Sequence, residues 1–165
     1  MLFRRIVFAS SLVLLTSIPL RVAAETSVVH VVGVTDGDTI KVLDSQHQQH
    51  KIRLAGIDAP EKKQPFGQRS KQNLSNLVFD RSVVLECGKI DRYRREICVV
   101  LIGGKDANLA QVAAGLAWWY RKYAREQTPQ QRAAYEAAED NARARRIGLW
   151  IDPAPVPPWD WRHRR

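Results

Sequence analysis

The stretch VVHVVGVTDGDTIKVL, Val28 to Leu43, decides the reading of the fold. Val28 to Val34 is β-branched and apolar and predicts a strand. Asp36-Gly37-Asp38 is a turn signal, and Thr39 to Leu43 predicts a second strand. After a polar loop, Asp44–Gln49, the run Lys51-Ile52-Arg53-Leu54 alternates with a period of two, as a half-buried strand does. Ala59-Pro60 ends it, because Pro cannot donate to a ladder. Further out, Pro65 to Asp80 predicts a helix with Leu74, Leu77 and Val78 on one face. Val83-Val84-Leu85 and Ile97 to Ile102 predict two more strands, stopped by Gly103-Gly104. Leu109, Val112, Ala113 and Leu116 recur at helical spacing, so a second helix is expected over Asn108–Ala117. The third helix has the clearest ends. Thr128 is its N-cap, Pro129 its first residue, Gln131 completes a capping box and Gly148 is the stop. Five short strands in this order with three helices give an α+β chain built on a small closed barrel.

The chain has 165 residues, enough for one domain with short tails, and 45% of them are apolar. Five Trp argue against disorder, and no internal repeat is found. There are 26 Lys and Arg against 17 Asp and Glu, a formal charge of +9. That excess points to polyanionic partners, nucleic acid first and anionic lipid second, without choosing between them.

Residues 1–24 read as a secretory signal peptide. Arg4 and Arg5 are followed by an apolar run from Ile6 to Leu20 and by small residues, Val22-Ala23-Ala24, before Glu25. The run is shorter than the ~20 residues of a spanning helix, so cleavage is expected rather than anchoring. The expected plan is a signal peptide at 1–24, a domain over 25–150 and a Pro/Trp-rich tail over 151–165. That tail is expected to be irregular and pinned by Trp150, Trp159 and Trp161. Localisation would be secreted or periplasmic, without stable membrane association, as a monomer. Export implies an oxidising compartment. Cys87 and Cys98 match no zinc pattern and flank Gly88–Ile97. A hairpin with Arg92-Tyr93 at its tip would place them face to face. A disulfide and two unpaired thiols are both open at this point.

Three clusters carry chemistry: Asp36-Gly37-Asp38-Thr39, the run Arg53 to Glu61, and Asp91-Arg92-Tyr93-Arg94-Arg95. Asp36, Asp38, Asp58 and Glu61 lie at strand ends in an otherwise cationic chain. Carboxylates beside a phosphodiester repel it and repel each other, so such a cluster makes sense around a divalent cation. Oxygen-only donors suit Ca²⁺ or Mg²⁺ and disfavour zinc. Taken alone, the Asp-Gly-Asp run reads first as no more than a tight turn. Arg53 faces opposite to Ile52 and Leu54, and Arg95 follows a turn. Guanidinium forks clamp phosphate oxygens and gain value as charge develops in a transition state. Glu61 could orient or deprotonate an attacking water.

In this order, DGDT, R-L-x-G-I-D-x-P-E and D-R-Y-x-R make the chain resemble the thermonuclease (staphylococcal or micrococcal nuclease) family over roughly Val28 to Trp150. The resemblance implies an OB-fold barrel with three helices and Ca²⁺-dependent hydrolysis of DNA and RNA, leaving 3′-phosphate and 5′-hydroxyl ends. By match, it implies Asp38, Asp58 and the Ala59 carbonyl as calcium ligands. Asp36 would lie just outside them, with Thr39 beside it. Glu61 would act on water, and Arg53 and Arg95 on the scissile phosphate. Arg92 and Tyr93 would bind the terminal phosphate, and Tyr123 would pack on the nucleotide. Three positions depart from the pattern: Ala59 replaces a Thr, Arg94 a turn Gly, and Arg121 a nucleotide-binding Tyr, which adds charge.

Two other classes compete. A non-catalytic OB barrel gripping nucleic acid would not need all five of Asp38, Asp58, Glu61, Arg53 and Arg95. A cationic binder of lipid or glycan surfaces explains the charge but not the ordered acids. His47 and His50 are expected at a solvated hairpin tip. Trp118-Trp119-Tyr120 could stack bases, and a core or helix-end role is an equal reading for Trp118 and Trp119. Arg143, Arg145 and Arg146 are expected at a solvated helix end.

Overall fold

A computed structural model describes residues 25–164. The signal peptide read at residues 1–24 lies outside the described residues. Strands β1 (Glu25–Asp36), β2 (Thr39–Leu43) and β3 (Gln49–Leu54) form an antiparallel meander. Strands β5 (Ser82–Ile90) and β6 (Glu96–Ile102) form a hairpin. β1 pairs with both β2 and β5. Parallel pairing of β3 with β6, through Ile52↔Glu96, Arg53↔Ile97 and Leu54↔Cys98, closes the ring. The result is the α+β architecture with a five-stranded OB-fold barrel. Closure leaves the barrel no long free edge. Two short ladders supplement it: β7 (Lys105–Asp106) on β6, and β4 (Ile57–Asp58) on β8 (Trp118–Trp119).

The alternation of the sequence sets the interior. Val29, Val31, Ile40, Val42, Ile52, Leu54, Val83, Leu85 and Val100 point inward and are buried. Each contributes roughly 1.5–3 kcal/mol by leaving water. Helix α1 (Gly67–Val78) buries Ser70, Leu74 and Val78, one residue per turn, against β1 and α2 (Ala107–Ala113). Helix α3 (Pro129–Ala144) begins with the Thr128–Gln131 capping box and packs on α2. Helices α1 and α2 are shorter than the periodicity predicts, because the turns at Phe79 and Gly115 end them.

Past α3 the chain differs from the irregular tail expected of four prolines. It forms a 3₁₀ turn, Gly148–Ile151, and a short helix α4 (Pro158–Trp161). Trp150 is buried with Trp118, Ala142 and Leu149 in a second apolar cluster, on which Trp159 packs. Arg143 is not a free helix end. Its guanidinium lies 3.8 Å from the Trp150 ring centroid and 3.4 Å from Glu139. No described helix is long and apolar enough to cross a membrane.

His50 works at the barrel seam rather than at a free tip. Its Nδ1 lies 2.8 Å from Glu96 Oε1 on β6, and its Nε2 lies 3.0 Å from Asp44 Oδ2. The hydrogen bond to Asp44 and the bond and charge of Glu96 outweigh partial burial and hold the imidazolium above its ordinary pKa of 6.5. A raised pKa stabilises the fold fully below pH 6.5, and that contribution is lost as pH rises through the folded value. Melting temperature is therefore expected to fall from pH ~6 to ~8, and His50→Gln is expected to flatten the fall. Equal slopes for parent and variant would remove His50 from this role.

Candidate functional site

The three clusters meet along one groove of about 820 Å³, lined by Asp36, Asp38, Arg53, Asp58, Ala59, Glu61, Arg92, Tyr93, Arg95 and Tyr123, among others. Thr39 stands behind Asp38, its hydroxyl donating to Asp38 Oδ1 at 3.0 Å. The β1–β2 turn brings Asp36 and Asp38, the end of β3 brings Arg53, β4 brings Asp58, and the following loop brings Ala59 and Glu61.

Arg53 organises the acids. Its Nη1 lies 3.0 Å from Asp38 Oδ2 and its Nη2 2.8 Å from Asp58 Oδ1. The same guanidinium donates to the carbonyls of Leu54 and Ile57, so its fork is fixed by three hydrogen bonds and the ion pair to Asp38. Asp38 Oδ2 also accepts from the Ala59 amide at 2.7 Å, which ties the turn to the loop after β4. Glu61 is held by its backbone: its amide donates to Gln64 Oε1 at 3.1 Å. The side chain itself is 41% exposed to the groove.

Burial, reinforced by the charge of Asp38, pushes the Asp36 carboxyl up to about 7. Burial likewise raises Asp58, against the lowering effect of its arginines. These carboxylates thus sit at a cost that added positive charge would relieve. Their donors are all oxygens, the set a hard cation such as Ca²⁺ takes. They are gathered through the guanidinium and not on one another: among the described residues, no three acids of the groove bring ligand atoms within 4.8 Å. The one triplet that close is Cys87, Glu96 and Cys98, whose two sulfurs form a disulfide.

Arg95 enters from the β5–β6 hairpin. Its Nε lies 2.8 Å and its Nη2 2.7 Å from Asp91 Oδ2, and Asp91 Oδ1 accepts the Tyr93 and Arg95 amides. Burial raises the Asp91 carboxyl, but these bonds outweigh it and leave it below the usual range. Arg94 occupies the turn at φ 62°, the left-handed region suited to Gly. Arg92 and Tyr93 project from the tip, where Arg92 donates to the Tyr93 hydroxyl at 2.7 Å. Tyr123 carries Lys89 over its ring at 4.8 Å.

Arg121 does not bring its charge to the groove. Its guanidinium bonds Glu139, a fully buried acid of α3 that also accepts the Trp119 amide, and it covers the Trp119 ring at 4.4 Å. Trp118 and Trp119 are buried. Tyr120, just past β8 and a base-stacking candidate by sequence, does line the groove, and so do Trp159 and Arg162 of the C-terminal segment, which the sequence reading did not place there. The aromatic spacing Trp159-Asp160-Trp161 was the available signal for that segment, and nothing in the sequence signalled Arg162.

Gly37 shows that the Asp-Gly-Asp run is more than a turn. A Cβ there would lie 1.8 Å from Ser70 Oγ and 2.8 Å from the Ala59 Cβ. The Gly37 carbonyl also accepts from the buried Gln111 amide at 2.7 Å. Gly37→Ala is expected to cost about 1–3 kcal/mol in urea unfolding through overpacking. An unchanged midpoint would mean that the contact is not tight.

The staphylococcal nuclease homologue family matches residues 51–152. An "Uncharacterized endonuclease" from Haemophilus influenzae is 38% identical over 163 residues, covering 99% of this chain and 88% of its own length. A "Micrococcal nuclease" from Shigella flexneri is 39% identical over 163 residues, covering 93% of this chain and 89% of its own length. An "Uncharacterized endonuclease" from Escherichia coli is 41% identical over 136 residues, covering 82% and 84% respectively. With the match spanning the barrel seam, the acidic loop and the Arg95 hairpin, the chain belongs to the staphylococcal nuclease homologue family.

Proposed function

We propose that this protein is a calcium-dependent nuclease acting on DNA and RNA. In this reading it works as a monomer after export, secreted or periplasmic, with residues 1–24 removed and 151–165 as a C-terminal extension of the domain. The observation that carries the reading is the convergence of Asp38, Asp58 and Glu61 with Arg53 and Arg95 on one groove. Asp38, Asp58 and the Ala59 carbonyl would hold the cation, with Asp36 just outside and Thr39 orienting Asp38. Bound there, a hard cation offsets phosphate charge and favours attack at phosphorus.

The chain's own residues do the rest. Glu61, exposed to the groove, takes a proton from a water placed in line with the scissile bond. The water oxygen bonds to phosphorus and the bond to the 5′ oxygen breaks. The products are a 3′-phosphate and, once the leaving oxygen is protonated, a 5′-hydroxyl. Arg53 and Arg95 hold the phosphate oxygens and stabilise the charge that grows on them. For this, Arg95 exchanges Asp91 for phosphate. Arg92 and Tyr93 contact a terminal phosphate, and Tyr123 packs on the nucleotide. The basic surface attracts the polyanion and makes binding salt-sensitive.

Single-stranded DNA incubated with calcium is expected to be cut, with 3′-phosphate ends on the products, and excess chelator is expected to stop the cutting. Undiminished cutting in chelator would count against the metal role. Tight, salt-sensitive binding with no cutting under any cation would replace the enzyme with a binding module.

A further inference from the structure

Arg53 is not the only arginine paired with the acids of the groove. Arg162, just past α4, places Nη2 2.7 Å from Asp58 Oδ2 and Nη1 2.7 Å from Glu61 Oε1, with Nη1 also 3.3 Å from Asp58 Oδ1. One guanidinium from the C-terminal segment thus spans the acid proposed to bind the cation and the acid proposed to act on water.

The segment is built to deliver it. Gln64 Nε2 donates to the Val156 carbonyl at 2.7 Å, while Gln64 Oε1 accepts the Glu61 amide, so one buried side chain ties the tail to the Glu61 loop. The Trp159 ring stacks on Tyr120, with centroids 5.1 Å apart and planes 3° from parallel, and meets Trp118 edge-on. The amides of Trp161 and Arg162 donate to the carbonyls of Pro157 and Pro158 and set the helical turn that aims Arg162 inward.

The geometry points to Arg162 as a built-in counter-ion that occupies the cation's place in the free protein and must leave Asp58 before a divalent cation can bind. The inference rests on the metal reading above and adds a regulation to that site. Both Asp58 oxygens are engaged, Oδ1 by Arg53 and Oδ2 by Arg162, and the side chain is 1% exposed. A third cationic group on the same carboxylate repels both guanidinium groups, so one fork has to move. Arg53 is 12% exposed and pinned by two backbone carbonyls. Arg162 is 42% exposed and can swing into water, where losing its partners costs least. Arg162 is the group that yields. Its departure also frees Glu61, so cation binding and release of the proposed base are one event. The cation threshold is set by how tightly the tail holds.

The test is calorimetric titration of calcium chloride into the folded protein, without substrate, for the parent, Arg162→Ala, Arg162→Lys and Asp58→Asn. Arg162→Ala is expected to bind calcium about tenfold more tightly, since no charge-assisted pair has to break first. Arg162→Lys, which keeps the charge but not the fork, is expected to fall between it and the parent, and Asp58→Asn to lose binding. Thermal melts establish that each variant is folded. If Asp58→Asn loses binding but Arg162→Ala binds no more tightly than the parent, the counter-ion role is overturned and the cation site stands. If none of the four chains binds calcium, the cation site falls, and the counter-ion role with it.

Discussion

Glu61→Gln is expected to lower kcat on single-stranded DNA by about 10²–10⁴-fold, and Arg95→Ala by about 10²–10³-fold, with melting temperatures close to the parent's. The two losses have different origins. Gln keeps the size and hydrogen-bonding reach of Glu61 but cannot accept a proton from water at neutral pH. Removing Arg95 takes away a donor whose value grows as charge develops on the phosphate, so binding weakens less than turnover. Stability is spared because neither side chain supports the core. The Glu61 loop is fastened by its backbone to Gln64, and the Arg95 side chain bonds only Asp91 and leans on Tyr93. Arg53 would be a poorer test, since its fork also joins Asp38 to Asp58 and holds two carbonyls. Steady-state kinetics with matched melts check both variants, and parental rates in either would remove that residue from the chemistry.

The parts of this site that a sequence shows are those whose local chemistry is redundant. Strands β1, β2, β3, β5 and β6 announce themselves as short runs rich in β-branched and apolar residues, with a clear period of two in β3, and a one-residue slip would expose every inward side chain. The α3 start is equally plain, because Thr128, Pro129 and Gln131 each answer the same set of orphan amides. The β4–β8 ladder is different. Two residues per strand carry no period, and Trp118 and Trp119 are both buried although adjacent, because they lie between the barrel and α3. Glu139 shows the same limit from the polar side. In an Ala-rich helix it reads as solvent-facing, yet it is fully buried, satisfied by Arg121, Arg143 and the Trp119 amide. Arg162 is the hardest case. In the run Arg162-His163-Arg164-Arg165 it reads as a solvated basic end, and only the anchoring of Val156 and Trp159 turns it toward Asp58.

Opening the Cys87–Cys98 bridge is expected to cost roughly 3 kcal/mol and to lower the melting temperature by about 10 °C. The two cysteines are direct cross-strand partners on β5 and β6, separated by 11 residues, with their Cα atoms 4.1 Å apart. Ladder pairs on both sides, Glu86↔Val99 and Lys89↔Ile97, already fix the register, so the bridge acts mainly on the unfolded chain by holding a short loop closed. The position is also where the barrel seals. Leu54 pairs with Cys98 across the β3–β6 seam, and the Cys98 carbonyl accepts from the Ala55 amide and from Asn108. Loosening β6 there strains both the seam and the hairpin that carries Arg95. The acidic cluster lies on β1–β4 and the following loop, so calcium affinity at 25 °C is expected to change less than threefold in Cys87→Ser/Cys98→Ser, while heat resistance falls. Calorimetry on that variant checks the magnitude, and thiol titration of the unreduced parent under denaturant checks the bridge itself. Two free thiols, or a melting temperature within about 2 °C of the parent's, would leave the hairpin to be held by its hydrogen bonds and packing alone.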